Sequence, residues 1–332
     1  MTVPAHVFRQ TVRSLLAPIE CFLDADDISE IMINGHDEIY VEKEGRLHLT
    51  GNRFHSEHAL MSALRNLSQY VGRELSPSRP ILEARLPDGS RVEAIVPPAS
   101  RRGASVCIRL FPKSQLTLDR LIDLGAMPAT AAHLLRRLVQ QKHNVVVAGG
   151  SGSGKTSLLN ALSSLVCEEE RVVVIEDAQE LQLNLPHVVQ LEAQPLDSRG
   201  RGAVTIRELF RATLRMRPDR VVIGEIRGGE ALDLIQAMTS GHRGCLSTIH
   251  GTLPIDTLSR LETMALMSDV EMPLSVLRSQ IASAIDTIVQ VARLADGHRR
   301  VTHIVEVRGY HRDRGYQLYT LFEQGAETES SG

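Results

Sequence analysis

Two kinds of hydrophobic spacing run along this chain, and they change places near its middle. Between Ile28 and Leu110, short apolar runs alternate with turn signals. Ile31 to Ile33 precedes Asn34-Gly35, Ile39 to Glu42 and Arg46 to Thr50 flank Glu44-Gly45, and Ile81 to Leu86 and Arg91 to Val96 flank Pro87-Asp88-Gly89. Ser105 to Leu110 adds one more run. Such runs bounded by tight turns predict strands. One interruption, with Leu60, Leu64 and Leu67 at helical spacing, predicts a helix over Ser56 to Val71. Before this region, residues 1–22 predict a short helical lead-in with Val7, Leu15 and Leu16 apolar.

The second half alternates strand and helix signals. Pro128 to Lys142 predicts a helix, and the β-branched run Val145 to Val147 predicts a strand buried on both faces. Ser157 to Val166 places Leu158, Leu162 and Leu165 on one helical side. Arg171 to Ile175 and Val221 to Ile223 are further buried strands. Between them Thr205-x-x-Glu208 matches a capping box, ahead of Leu209, Phe210 and Leu214, with Pro218 as the stop. Ser275 to Ala284 predicts a helix; Thr287 to Leu294, Arg299 to Val307 and Tyr316 to Phe322 predict closing strands. The expected class is therefore α/β, with a smaller α+β domain over 23–111 ahead of a larger domain over 128–323. A linker is expected over 112–127, where Thr117 can cap a short helix ending near Gly125. The polar, acidic stretch 324–332 is expected to be disordered.

The chain has 332 residues, enough for about two domains. A net charge of −3 and 3% aromatic content leave no basic stripe and no stacking platform, which argues against direct nucleic-acid binding, including a DNA translocase or helicase. No apolar run is long enough to cross a membrane and no signal peptide is evident, so a cytoplasmic location is expected. Cys21, Cys107, Cys167 and Cys245 are widely spaced, without C-x-x-C, and are expected as small core residues in a reducing compartment.

The chemistry concentrates after Val147. Gly149 to Thr156 is G-x-x-x-x-G-K-T, flanked by a predicted strand and a predicted helix. Gly149, Gly150, Ser151, Gly152, Ser153 and Gly154 form a loop whose backbone N–H groups can cradle phosphate. Lys155 can reach the β- and γ-phosphates, the Thr156 hydroxyl can ligate Mg²⁺, and Ser157 opens the helix at the anion. ATP and Mg²⁺ are the expected ligands. Glu176-Asp177 ends one predicted strand and Gly224-Glu225 ends another, where α/β sheets hold ligands. Gly224 stands where an acidic pair would have its first member, so Glu225 is expected to serve Mg²⁺ or water alone or with Glu176. His242 and His250, eight apart, are a weak metal pair and better read as hydrogen-bond donors beside the γ-phosphate. Arg91 and Arg109, with Arg101-Arg102 between them, are solvated charges or groups that reach a phosphate.

GGSGSGKTSLLN, VVVIEDAQELQL, RMRPDRVVIGEIRGGEALDLIQAM and SGHRGCLSTIHG occur in that order. Together they resemble the secretion-ATPase superfamily of type II secretion, type IV pili and type IV secretion. DISEIMINGHDEIYVEKEGRL, ARLPDGSRVEAIVPP and RLETMALMSDVEMPLSVLRSQIASAIDTIVQVARLADGHRRVTHIVEV are similar to the CpaF-type ATPases of the Tad (tight-adherence) pilus. The resemblance covers about Asp24 to Phe322. It implies a PAS-like N-terminal domain, a RecA-like ATPase domain and a homo-hexameric ring. It further implies inner-membrane platform proteins as partners and a peripheral place at that membrane. Carried over by position, Glu176 is the general base, Asp177 its neighbour in the same motif, and Glu225 and Arg227 the second nucleotide motif. His242 and His250 are the histidine motif, and Arg91 and Arg109 the N-terminal-domain arginines near the γ-phosphate. The four-cysteine zinc motif of many type II secretion and pilus-extension relatives is absent. The expected function is an Mg²⁺-dependent P-loop ATPase motor for a Tad-like pilus or secretion machine. The alternatives are a type IV secretion or conjugation ATPase and a nucleotide switch that scaffolds without turnover.

Overall fold

A computed structural model describes residues 14–43, 45–111, 116–194, 196 and 201–325. The chain divides into two compact units, Met1–Ser114 and Gln115–Gly332.

The first unit begins with a 3₁₀ turn, Ala17–Ile19, and one helical turn, α1 (Glu20–Leu23), both beside its core. Its six strands are β1 (Ile28–Asn34), β2 (Ile39–Lys43), β3 (Arg46–Leu49), β4 (Ile81–Arg85), β5 (Arg91–Ile95) and β6 (Ser105–Arg109). They form one antiparallel sheet in the order β3-β2-β1-β6-β5-β4. The α2 helix (Glu57–Tyr70) starts where the Ser56 side chain accepts a bond from the Ala59 N–H at 3.2 Å. Strand alternation and helix period meet in one core. Ile31, Ile33, Val92, Ala94, Val106 and Ile108 turn one way, and Leu60, Leu64 and Leu67 of α2 pack in the same cluster. Each fully buried Leu or Ile contributes roughly 1.5–3 kcal/mol.

The second unit opens with α3 (Leu118–Asp123) and α4 (Ala129–Gln140). Thr117 caps α3 through the Arg120 N–H at 3.1 Å. Leu118 and Leu121 are buried in this unit's core, so much of the stretch expected as a linker is a packed helix, while 112–115 lie outside the described residues. Next come β7 (Val145–Gly149), α5 (Lys155–Ser163), β8 (Val172–Glu176), β9 (Val188–Glu192), α6 (Ile206–Thr213), β10 (Arg220–Ile223), α7 (Glu230–Thr239) and β11 (Leu246–His250). The chain closes with α8 (Pro254–Ala265), α9 (Leu274–Ala284), β12 (Thr287–Arg293), β13 (Arg299–His311) and β14 (Gly315–Glu323). The eight-stranded sheet has the order β14-β13-β12-β7-β11-β10-β8-β9. From β12 to β9 every pairing is parallel; β13 and β14 join antiparallel. Helices α3, α4 and α5 contribute to the core on one face and α6 to α9 to the core on the other, which is why β7, β8 and β10 are buried throughout.

Four elements here have no counterpart in the sequence expectations: β9, α7, β11 and α8. The Met-rich stretch expected as core filler is divided. Met264 is buried, whereas Met267 is 64% exposed beside exposed Leu266 and Val270. The cysteines also depart from expectation. Only Cys245 is buried, Cys107 is intermediate, and Cys21 and Cys167 are exposed. Burial pushes the Cys245 thiol up to about 12. Residues 1–13 of the lead-in and 326–332 of the tail lie outside the described residues. Among the described residues no helix is long and apolar enough to cross a membrane.

Candidate active site

Parallel pairing sets the site. Four neighbouring strands, β7, β11, β10 and β8, end in the same direction, so Gly149, His250, Gly224-Glu225 and Glu176 come to one edge of the sheet. Register makes this specific: His250 pairs with Gly149, and Ile223 with Ile175, one residue before Glu176.

The loop from β7 to α5 is tied from within and from outside. The Ser153 hydroxyl and Lys155 Nζ each donate to the Gly150 carbonyl at 2.9 Å. Arg299 Nε donates to the Gly152 carbonyl at 2.9 Å. Gly154, the residue before α5, has φ 95°, a conformation that side-chain-bearing residues rarely adopt, so glycine is required there. Lys155 is only 8% exposed, and burial lowers its pKa despite the nearby Glu225. The first turn of α5, Lys155 to Ser157, presents backbone N–H groups at the same edge.

Glu225 is the carboxylate whose charge bears on Lys155. Its Oε2 accepts from Arg227 Nε at 2.6 Å, and its Oε1 lies 2.8 Å from His250 Nε2. Oε1 is buried and has no hydrogen bond of good geometry among the described residues. Arg227 also pairs with Asp177, so one guanidinium ties the ends of β8 and β10. Glu230, unremarked in the sequence reading, fixes the turn in between: its Oε1 accepts from Arg227 N at 2.6 Å and Gly228 N at 2.8 Å. Burial and the Lys155 charge hold the His250 imidazole below its ordinary range, against the pull of Glu225. It is therefore neutral near pH 7 and can present one N–H donor.

Glu176 is 4% exposed. Its Oε1 accepts the N–H groups of Glu180 and Leu181, each at 3.0 Å. Burial raises its pKa to about 7 in spite of those two bonds. Its side chain lies over Gly224, where a Cβ would sit 3.0 Å from Glu176 Cγ. The missing acid of the second motif thus leaves room for this carboxyl.

An Mg²⁺ ion fits what is present. A buried carboxylate oxygen without a good donor, Glu225 Oε1, follows β10 at the sheet edge where α5 starts, and Thr156 is in the first turn of that helix. No group of three acidic, Cys or His residues forms a metal cage among the described residues, and Mg²⁺ beside substrate phosphates does not require one.

One expectation comes out differently. His242 lies four residues before Leu246, and Leu246 pairs with Val145 at the start of β7. It enters β11 from the opposite end of the sheet, on the order of 13 Å or more from His250 along the strand. There Cys245 donates through Sγ to the His242 carbonyl, and Arg243 bonds both Asp286 oxygens at 3.0 and 2.9 Å. His242 is therefore not brought to the cradle of its own chain, because the predicted motif was read without the strand inside it. Arg91 and Arg109 lie in the first unit, paired across β5 and β6, with Arg85 opposite Arg91 on β4. Arg109 Nε is 4.0 Å from Glu30, and Arg91 and Arg109 are exposed. Arg101 and Arg102 are exposed in the turn before β6.

The family model described as Type II/IV secretion system protein matches residues 13–325. A putative conjugal transfer protein of Mycobacterium tuberculosis is 33% identical over 313 residues, covering 90% of this chain and 88% of the relative. The type IV secretion system protein PtlH of Bordetella pertussis is 37% identical over 320 residues, covering 87% and 93%. In fold, the chain is similar to the Legionella pneumophila ATPase DotB, with TM-score 0.59 and 19% identity, covering 92% of this chain and 82% of that one. It is likewise similar to the pilus retraction motor PilT with bound ADP, with TM-score 0.60 and 17% identity, covering 93% and 81%. These neighbours share the α/β plan of an N-terminal domain followed by a RecA-like domain. With a family match over nearly its whole length and a phosphate-binding loop at the edge where its acidic and histidine residues gather, the chain belongs to the type II/IV secretion system ATPase superfamily.

Proposed function

We propose that this protein is an Mg²⁺-dependent ATPase that works as a motor subunit of a secretion or conjugation machine. The carrying observation is the meeting of Lys155, Glu225, His250 and Glu176 at the carboxyl ends of four neighbouring strands. The backbone of Gly149 to Gly154 and the N-terminus of α5 bind the phosphates, and Lys155 supplies a positive charge to the β- and γ-phosphates. Thr156 and Glu225 would hold Mg²⁺, which when bound offsets phosphate charge. Glu176 takes a proton from water as its oxygen attacks the γ-phosphorus; the bond from that phosphorus to the β–γ bridging oxygen breaks, and ADP carries the electron pair away. A carboxyl near pKa 7 suits that exchange at neutral pH. Arg227 holds Glu225 in place, with Asp177 as its second anchor, and His250 stands beside Glu225 Oε1. Arg91 and Arg109 are assigned to charge developing on the γ-phosphate by resemblance alone.

The relatives named for conjugal transfer and type IV secretion favour a type IV secretion or conjugation machine. A Tad-like pilus is the second reading, favoured by the stretches Asp27 to Leu47 and Ala84 to Pro98. Either role implies a homo-hexameric ring, peripheral at the cytoplasmic face of the inner membrane and docked on platform proteins. Nucleic acid is not expected to bind directly, given a net charge of −3.

MgATP hydrolysis per subunit across a range of protein concentrations tests the motor reading. A specific rate that rises and saturates supports a ring as the active unit. ATP binding with no turnover in the assembled state would favour a scaffold switch instead.

A further inference from the structure

The β12–β13 hairpin stands on the other side of β7 from the acidic residues. Its turn is closely built: Leu294 N donates to the His298 carbonyl at 2.8 Å, Gly297 N to the Leu294 carbonyl at 2.9 Å, and Asp296 Oδ1 accepts from His298 N at 2.9 Å. β12 is parallel to β7, with Val291 paired to Gly149. Arg293 therefore follows two residues past the start of the phosphate-binding loop, and Arg299 is its cross-strand partner. Val289, Val291 and Val301 belong to the core cluster that also holds Leu158, Leu159 and Leu162 of α5. Strand alternation puts Arg293 and Arg299 on that same face, the face of the α5 N-terminus. Arg299 reaches the loop itself: Nε bonds the Gly152 carbonyl, and Cδ lies 3.4 Å from where a Gly154 Cβ would be.

Strand order fixes which end of a nucleotide meets this hairpin. Glu225, His250 and Glu176 end strands β10, β11 and β8, all on one side of β7. A nucleotide with its γ-phosphate toward that side runs its α-phosphate and ribose the other way, over β12 and β13. We propose that Arg299 is a positioning residue of the nucleotide site. It holds the phosphate loop open for binding through the Gly152 carbonyl. With Arg293 beside it, its guanidinium engages the α-phosphate and ribose end that ATP and ADP share. This rests on the ATPase reading above.

The test uses the full chain with Arg299→Ala, Arg299→Lys and Arg293→Ala, with Lys155→Ala as control, and measures MgADP dissociation constants together with MgATP turnover. For Arg299→Ala, the MgADP dissociation constant and the KM for MgATP rise together by about ten-fold, as for one lost charge-assisted bond, with kcat within about two-fold. Arg299→Lys keeps the charge but loses the planar donor, so it falls between wild type and Arg299→Ala; it carries the same test where Arg299→Ala does not fold. Arg293→Ala gives a smaller loss of the same pattern. Unchanged MgADP affinity in Arg299→Ala and Arg299→Lys, while Lys155→Ala has lost it, overturns this inference alone. A fall in kcat at unchanged MgADP affinity overturns it too. Equal MgADP affinity in wild type and Lys155→Ala counts against the nucleotide site itself.

Discussion

Glu176 lies over Gly224, close enough that a Cβ at position 224 would meet its Cγ at 3.0 Å. The acidic residue that ends β8 and the glycine that follows β10 are thus one packing unit. Gly224→Ala pushes against a carboxyl that is already buried and bound to two backbone N–H groups. Overpacking of this kind costs about 1–3 kcal/mol. Gly224→Ala should lower hydrolysis more than MgADP affinity, because it displaces the proposed base and leaves the phosphate loop alone. Parallel turnover and calorimetric titration of the variant check this; equal losses in both would count against it.

The proton on Glu176 makes activity and stability move in opposite directions with pH. Its pKa is raised from 4.5 to about 7, chiefly by burial. Turnover needs the deprotonated form, so kcat should rise through about pH 7. For stability, the folded state binds this proton more tightly than the unfolded chain does. Between the two pKa values the folded state therefore loses stability as pH rises, through this one group. Glu176→Gln removes that term. Its thermal midpoint should exceed that of wild type near pH 8 and match it near pH 4. Melting both proteins at the two pH values gives the comparison, and a gap that stays constant with pH would contradict the assignment.

The two histidines should separate cleanly. His250 Nε2 is 2.8 Å from Glu225 Oε1 at the cradle edge, whereas His242 sits before the start of β11 at the far end. His250→Ala should lower kcat by at least ten-fold with folding intact, in the range of a lost positioned donor. His242→Ala should leave MgADP affinity within about two-fold. Loss of MgADP binding in His242→Ala would show that a role near the nucleotide had been wrongly withdrawn.

Arg227 pairs with Asp177, and it shares Glu225 with His250. Arg227→Ala leaves those two carboxylates side by side without the cation between them. Like charges at short range destabilise the site. The Mg²⁺ concentration needed for half-maximal turnover should shift by several-fold, read from a Mg²⁺ titration at fixed ATP; an unchanged Mg²⁺ dependence would contradict the role given to this bridge.

Much of this site was legible in the sequence because its signals are local. Gly149 to Thr156 specifies a turn, a helix start and a charge in eight consecutive residues, and the β-branched runs of β7, β8 and β10 mark strands buried on both faces. What was hidden depended on pairing. The strand Leu246–His250 has Ser247 and Thr248 in its middle and no apolar run, yet its register alone separates His250 from His242. Glu230 and Arg299 act on backbone atoms: Glu230 on the turn just before it, and Arg299 on a loop 147 residues away, a gap that no spacing rule reaches across. The glycine at 224 looked like a missing acid because its reason, the Glu176 side chain, is on the neighbouring strand.

The most direct test of the central claim compares MgATP binding and MgATP hydrolysis in wild type and Glu176→Gln at the same protein concentration. The account predicts nucleotide affinity within about three-fold of wild type and hydrolysis reduced by at least about 100-fold, as for removal of a general base. Wild-type turnover in Glu176→Gln would contradict it and move the base to Glu225 or elsewhere.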